Sequence, residues 1–115
     1  MAGMTNATKE TAATAVTALG SWVSLHTADP GTTGTSEATG GSPAYARKQT
    51  TWTAGSSDGV VNGSQVSIDA PAGTYTYAGL WSAATAGTFV GSVAITATTL
   101  GAQGQVLVTP TYTQS

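Results

Sequence analysis

The chain has no cysteine in its 115 residues. Disulfides and thiolate metal sites are therefore excluded, and the redox compartment stays open, because a cysteine-free protein works in either. Charge is nearly as scarce. Charged residues are 7% of the chain, against about 25% in an ordinary soluble domain. Its three bases form no patch, since Lys9 stands apart from Arg47 and Lys48. Non-specific nucleic-acid binding draws on several Lys or Arg contacts to phosphate, so no nucleic-acid partner is expected. Long apolar runs are absent too: none approaches the ~18–20 residues of a membrane helix, and no membrane partner is expected. Residues 1–20 lack an apolar core and carry Lys9 and Glu10, which argues against a secretory signal. A monomer so poor in charge has little self-repulsion, a condition better suited to a surface buried in an assembly.

Thr, Ala, Gly and Ser take the place of the missing charge. The chain can still fold, because 40% of it is hydrophobic and three Trp, four Tyr and one Phe can anchor a core. Residues 4–19 read as a helix capped by Thr5 or Asn6, with Ala12, Val16 and Leu19 as a narrow apolar stripe. Its many branched Thr side chains weaken it, so an extended arm is the alternative. Residues 21–27 alternate as a strand, with Trp22, Ser24 and His26 on one face. Asp29-Pro30-Gly31 stops it. Residues 32–43, rich in Gly, Thr and Ser, read as a long surface loop and a candidate contact surface.

Further strands are expected at 45–53, 65–69, 74–82, 88–96 and 105–113. Asp58-Gly59 and Asn62-Gly63 suit turns, and Pro110 suggests an edge or bulge. The fold class is mainly β: an antiparallel β-sandwich or jelly-roll-like barrel of six to eight strands with a short N-terminal helix or arm. A barrel with one open edge is the second choice. Residues 1–20 would be the helix or docking arm and 21–115 a single β-sandwich domain.

The search for chemistry finds little. His26 is the sole histidine. A triad would need Ser21 or Ser24 and Asp29, with no nucleophile-elbow sequence in support, so a buried or hydrogen-bonded imidazole is the better reading. Asp29 and Asp58 sit where turns use Asp, which leaves no carboxylate pair. No calcium-loop or phosphate-loop spacing occurs. No cofactor, metal or catalytic residue is expected. Tyr75, Tyr77 and Trp81, with Trp52, are either core or, if their face is exposed, an aromatic patch for carbohydrate.

Ser24-Leu25-His26-Thr27-Ala28-Asp29-Pro30-Gly31-Thr32-Thr33-Gly34 is followed by Glu37, Gly40-Gly41-Ser42, Tyr45-Ala46-Arg47 and Gly79-Leu80-Trp81-Ser82-Ala83-Ala84. These segments resemble a family of small actinobacteriophage virion proteins, usually labelled minor tail or tail-fibre proteins. The resemblance spans nearly the whole chain; Pro43 departs from the pattern. It implies a non-enzymatic structural role in the virion. A receptor-binding fibre is normally long, with stalk repeats or heptads, and this chain has neither. The expectation is therefore a capsid-decorating or minor virion protein, with a tail-fibre module that binds the host surface or carbohydrate as the alternative. Its partners would be major capsid or tail subunits and further copies of itself, met through Ala12, Val16, Leu19, Thr33 and Glu37.

Overall fold

A computed structural model describes residues 5–55 and 58–114. Met4, where the expected helix begins, the first residues of the expected arm, Ser56 and Ser57 of the expected turn region, and Ser115 lie outside the described residues. Helix α1 (Asn6–Thr17) starts at Thr5, whose hydroxyl accepts from the Thr8 amide and satisfies a free helix donor. Nine strands follow: β1 (Trp22–His26), β2 (Lys48–Gln49), β3 (Trp52–Ala54), β4 (Val60–Gly63), β5 (Val66–Ala70), β6 (Gly73–Trp81), β7 (Phe89–Leu100), β8 (Gly104–Val108) and β9 (Thr111–Thr113). The chain is mainly β with every pairing antiparallel, as expected. Nine strands exceed the expected six to eight, and no barrel closes.

The strands form a four-stranded sheet in the order β2-β1-β6-β7, a three-stranded sheet β3-β4-β9 and a β5-β8 ribbon. The main core joins the large sheet to the ribbon. Val23, Leu25 and Tyr75 meet Val66, Ile68, Ala70 and Val106 there.

The strand count rises because two expected strands change sheet midway. The 45–53 stretch divides at Thr50, which is buried. Its amide donates to Ser21 O at 2.8 Å and its hydroxyl to Ser64 O at 2.7 Å, so β2 ends in one sheet and β3 begins in another. The 105–113 stretch divides at Pro110, which lacks the amide a continuous strand would use. Asn62-Gly63 is no turn; both residues lie in β4.

The helix is not a free arm. It packs on β3, β4 and β9, and its buried residues are Ala13 and Thr17. The expected stripe is offset from this face: Ala12 and Val16 are half-buried and Leu19 is exposed. Thr17 tolerates burial because its hydroxyl donates to Ala13 O at 3.0 Å.

Strand β1 departs from simple alternation as well. Val23, Ser24, Leu25 and His26 are all buried. Val23 and Leu25 face the ribbon core. Ser24 and His26 lie under the 27–47 segment, which turns back at Asp29 and pairs Glu37 with His26. The Ser42–Pro43 peptide bond in this segment is cis.

Candidate functional site

Two features stand out: a buried polar network on one face of β1 and β6, and an open apolar groove on the other.

In the network, β1 and β6 pair so that Trp22 faces Trp81, Ser24 faces Gly79 and His26 faces Tyr77. Gly79 makes room for the Ser24 and His26 side chains. A Cβ there would lie 2.5 Å from Ser24 Oγ and 2.7 Å from His26 Nε2. His26 Nδ1 is 2.8 Å from Thr35 O, and a carbonyl can only accept, so Nδ1 carries the proton. Nε2, 2.7 Å from Ser24 Oγ, is then the acceptor of the serine hydroxyl. Ser24 Oγ in turn accepts from Trp81 Nε1–H at 3.0 Å. Burial, the largest influence on the imidazole, holds its pKa below the ordinary histidine value; the Thr35 carbonyl opposes it. Phe89 closes the cluster, 5.0 Å from the Trp81 ring and edge-on to His26.

A second layer of the network lies over Trp81. The Arg47 guanidinium sits 3.7 Å above the indole. It clasps Glu37 through Nε at 2.8 Å and Nη2 at 2.9 Å. Its Nη1 donates to Ala83 O at 3.0 Å and Ala86 O at 2.9 Å. Tyr45 OH donates to Glu37 at 2.7 Å and accepts from the Leu25 amide. Burial pushes the Glu37 carboxyl up, but the Arg47 and Tyr45 hydrogen bonds outweigh it and hold it below its ordinary value. Burial and the bond to Glu37 push the Tyr45 phenol well up. Gly34, at φ +79°, packs on the Trp81 ring where no Cβ would fit.

This network answers several expectations. Tyr75 and Trp81 are only 2% and 9% exposed. They also lie on opposite sides of the sheet, Tyr75 among the Val23–Leu25 core and Trp81 against Ser24. A register shift between Tyr75 and Tyr77 turns the strand over. Tyr77 is half-buried. The expected exposed patch of Tyr75, Tyr77 and Trp81 therefore does not exist as a surface. Glu37, expected at a subunit contact, spends its carboxylate inside the chain, whereas Thr33 is exposed on the loop. Asp29 accepts from the Gly31 amide at 2.8 Å, so it closes its own turn and does not reach His26. Among the described residues no group of three or more His, Cys, Asp or Glu could hold a metal ion. No described helix is long and apolar enough to cross a membrane.

Sequence reasoning passed over Arg47, the residue on which this layer turns. Composition gave a partial signal, three bases against five acids, but the fold-back that brings Arg47 to Glu37 is not written in the sequence.

The groove, about 610 Å³, lies on the opposite sheet face. Its walls include Val16 and Leu19 from the helical end, Leu80 of β6, Val93 of β7, and Pro110 and Tyr112 near β9. No charged residue lines it. Val16 and Leu19, two of the expected contact residues, thus do share one surface. Leu19 and Val93 are 62% and 61% exposed.

A family model described as podophage GP4 fiber I protein gp80 matches residues 2–113. No curated protein and no solved structure matches the chain. The match bears on the phage-fibre level and does not reach the narrower actinobacteriophage family that the motifs resemble. The segments behind that resemblance supply Ser24, His26, Glu37, Tyr45, Arg47, Gly79 and Trp81, so they build one internal clasp. With nearly all of its length matched, the chain belongs to the podophage GP4 fiber I protein gp80 family and is a phage fibre protein.

Proposed function

We propose that the chain is a non-enzymatic module of the tail fibre, held on the particle by contacts with other virion subunits and with copies of itself. The family match over residues 2–113 carries this reading. It moves the weight from capsid decoration to the fibre alternative. The non-enzymatic part draws support from the Ser24–His26 pair, which is wholly buried with both groups engaged inside the fold. Burial of Tyr75 and Trp81 removes two of the three residues of the expected aromatic patch from the surface. Contacts fall more naturally on the uncharged groove, since apolar surface rimming Leu19 and Val93 gains most by leaving water.

The test is labelling of intact particles with an antibody to this chain, viewed by electron microscopy. Label is expected on the tail fibres. Label spread over the capsid shell would restore the decoration reading and sink this one.

A further inference from the structure

Asn62-Gly63 has the composition of a tight turn, yet both residues lie in β4, the middle strand of the β3-β4-β9 sheet. Packing accounts for the glycine. A Cβ on Gly63 would lie 2.6 Å from Thr50 Oγ1 and 2.7 Å from Pro110 Cγ, so the two points where strands divide crowd it. Asn62 is exposed, and its side-chain oxygen accepts from the Thr111 hydroxyl at 3.2 Å. Asparagine is among the thermolabile residues. It is most labile before glycine, where no side chain shields the next amide nitrogen. In an open chain the Gly63 nitrogen can attack Asn62 Cγ. A new N–Cγ bond closes a cyclic imide, the Cγ–Nδ2 bond breaks, and ammonia leaves with the proton that the Gly63 amide gives up. Water then opens the imide at either carbonyl and leaves aspartate or isoaspartate.

We infer that Asn62 is a deamidation site that the fold holds closed, and that pairing of β4 with β9 is the closure. The attacking nitrogen is engaged: the Gly63 amide donates to Pro110 O, at the start of β9, at 2.7 Å. The backbone is also wrong for the reaction. Ring closure needs Asn62 Cβ and the Gly63 nitrogen nearly eclipsed about the Cα–C bond, and an extended strand holds them well away from that rotation. Asn62 cannot rotate while it stands in register with Thr53 on one side and Thr111 on the other. Of these two neighbours β3 is tied down by Trp52, whose indole donates to Gly20 O at 2.9 Å. Strand β9 is three residues at the edge of its sheet, and short edge strands open before a core does. The isoaspartate product runs the main chain through Cβ and so adds an atom before Gly63. Gly63 then loses its register with Trp52 and its bond to Pro110, and β9 cannot return. A chain that opens here is marked irreversibly, and one that stays paired is not.

The experiment is peptide mapping by mass spectrometry of the purified full chain, held in mildly alkaline buffer with or without unfolding urea. The chain has one other asparagine, Asn6, which precedes Ala7 and serves as the internal reference. In urea Asn62 should convert faster than Asn6. In buffer its conversion should be at least about tenfold slower than in urea, because only opened molecules react. Rates in buffer and urea that agree within about twofold overturn the inference, as does an Asn62 that is stable in urea. Tyr112→Ala removes the half-buried ring of β9 and should speed conversion in buffer at least about threefold without changing the rate in urea. A variant no faster than wild type in buffer overturns the role of β9. Hydrogen exchange of the wild-type chain tests that role without any variant. The Gly63 amide and those of residues 111–113 should exchange faster than the core amides of residues 23–25, and equal exchange would mean that global unfolding, not β9, is the gate.

Discussion

Ser24 stands between two partners that ask opposite things of its hydroxyl. It gives its proton to His26 Nε2 and accepts one from the Trp81 indole. Ser24→Ala would leave a buried acceptor and a buried donor unpaired. Each such group costs about 1–3 kcal/mol, so a loss of about 2–4 kcal/mol is expected in urea unfolding. A loss below about 0.5 kcal/mol, the range of an ordinary surface change, would show the chain of bonds to be slack. His26 adds a pH dependence with a definite sign. Folded, its pKa lies below the ordinary value; unfolded, it returns to about 6.5. The unfolded chain therefore binds the extra proton first as pH falls. Stability should be full above about pH 6.5 and decline below it, toward the lower folded pKa. Glu37 acts later. Its folded carboxyl is held low, so its contribution is complete above its unfolded value near about 4.3 and lost only in stronger acid. Urea midpoints at pH 8 and about pH 5 separate the two, because of this pair it is His26 that changes charge in that window. Equal midpoints would contradict a buried neutral imidazole.

Arg47 works between elements. It fastens Glu37, and with it the segment folded over β1, to the carbonyls of Ala83 and Ala86 in the β6–β7 turn. Its side chain is 8% exposed and that of Glu37 20%, so the pair is mostly out of water. Removing one member of such a pair costs about 3–5 kcal/mol, the size expected for Arg47→Ala. Arg47→Lys should recover little of it, because an ammonium cannot hold two carboxylate oxygens and two carbonyls while stacking on Trp81. Faster hydrogen exchange confined to residues 27–47 and 82–88 is the accompanying sign; unchanged exchange there would refute the clasp. Elements of this kind were only partly legible in the sequence. Strand β6 and the Val66–Ile68 strand declared themselves by alternation, and Thr5 by its capping chemistry. The switch at Thr50 did not, because a chain that changes sheet keeps its period. The register shift at Tyr75/Tyr77 is hidden for the same reason: alternation continues in sequence while the strand turns over. Glu37 looked like a free acid in a polar loop since its partner, though ten residues away, becomes a neighbour only when the loop folds back.

For the molecule as a whole, scarcity of charge has two consequences that must agree. Few charges mean weak repulsion between copies, and the ones present are placed off the groove. Glu37 and Arg47 are spent on each other inside the fold. Association through the groove should then rest on apolar burial, which salt does not screen. Raising ionic strength from about 0.1 M to about 1 M shortens the screening length from about 10 Å to about 3 Å and weakens exposed ion pairs. Sulfate, excluded from protein surfaces, strengthens burial. The Kd of any self-association through the groove should therefore be unchanged or lower in sodium chloride, and lower still in sodium sulfate. A Kd that rises severalfold with sodium chloride would mean that charges hold the copies together. The contact would then have to lie near Lys9, Lys48 or Asp69, away from the uncharged groove.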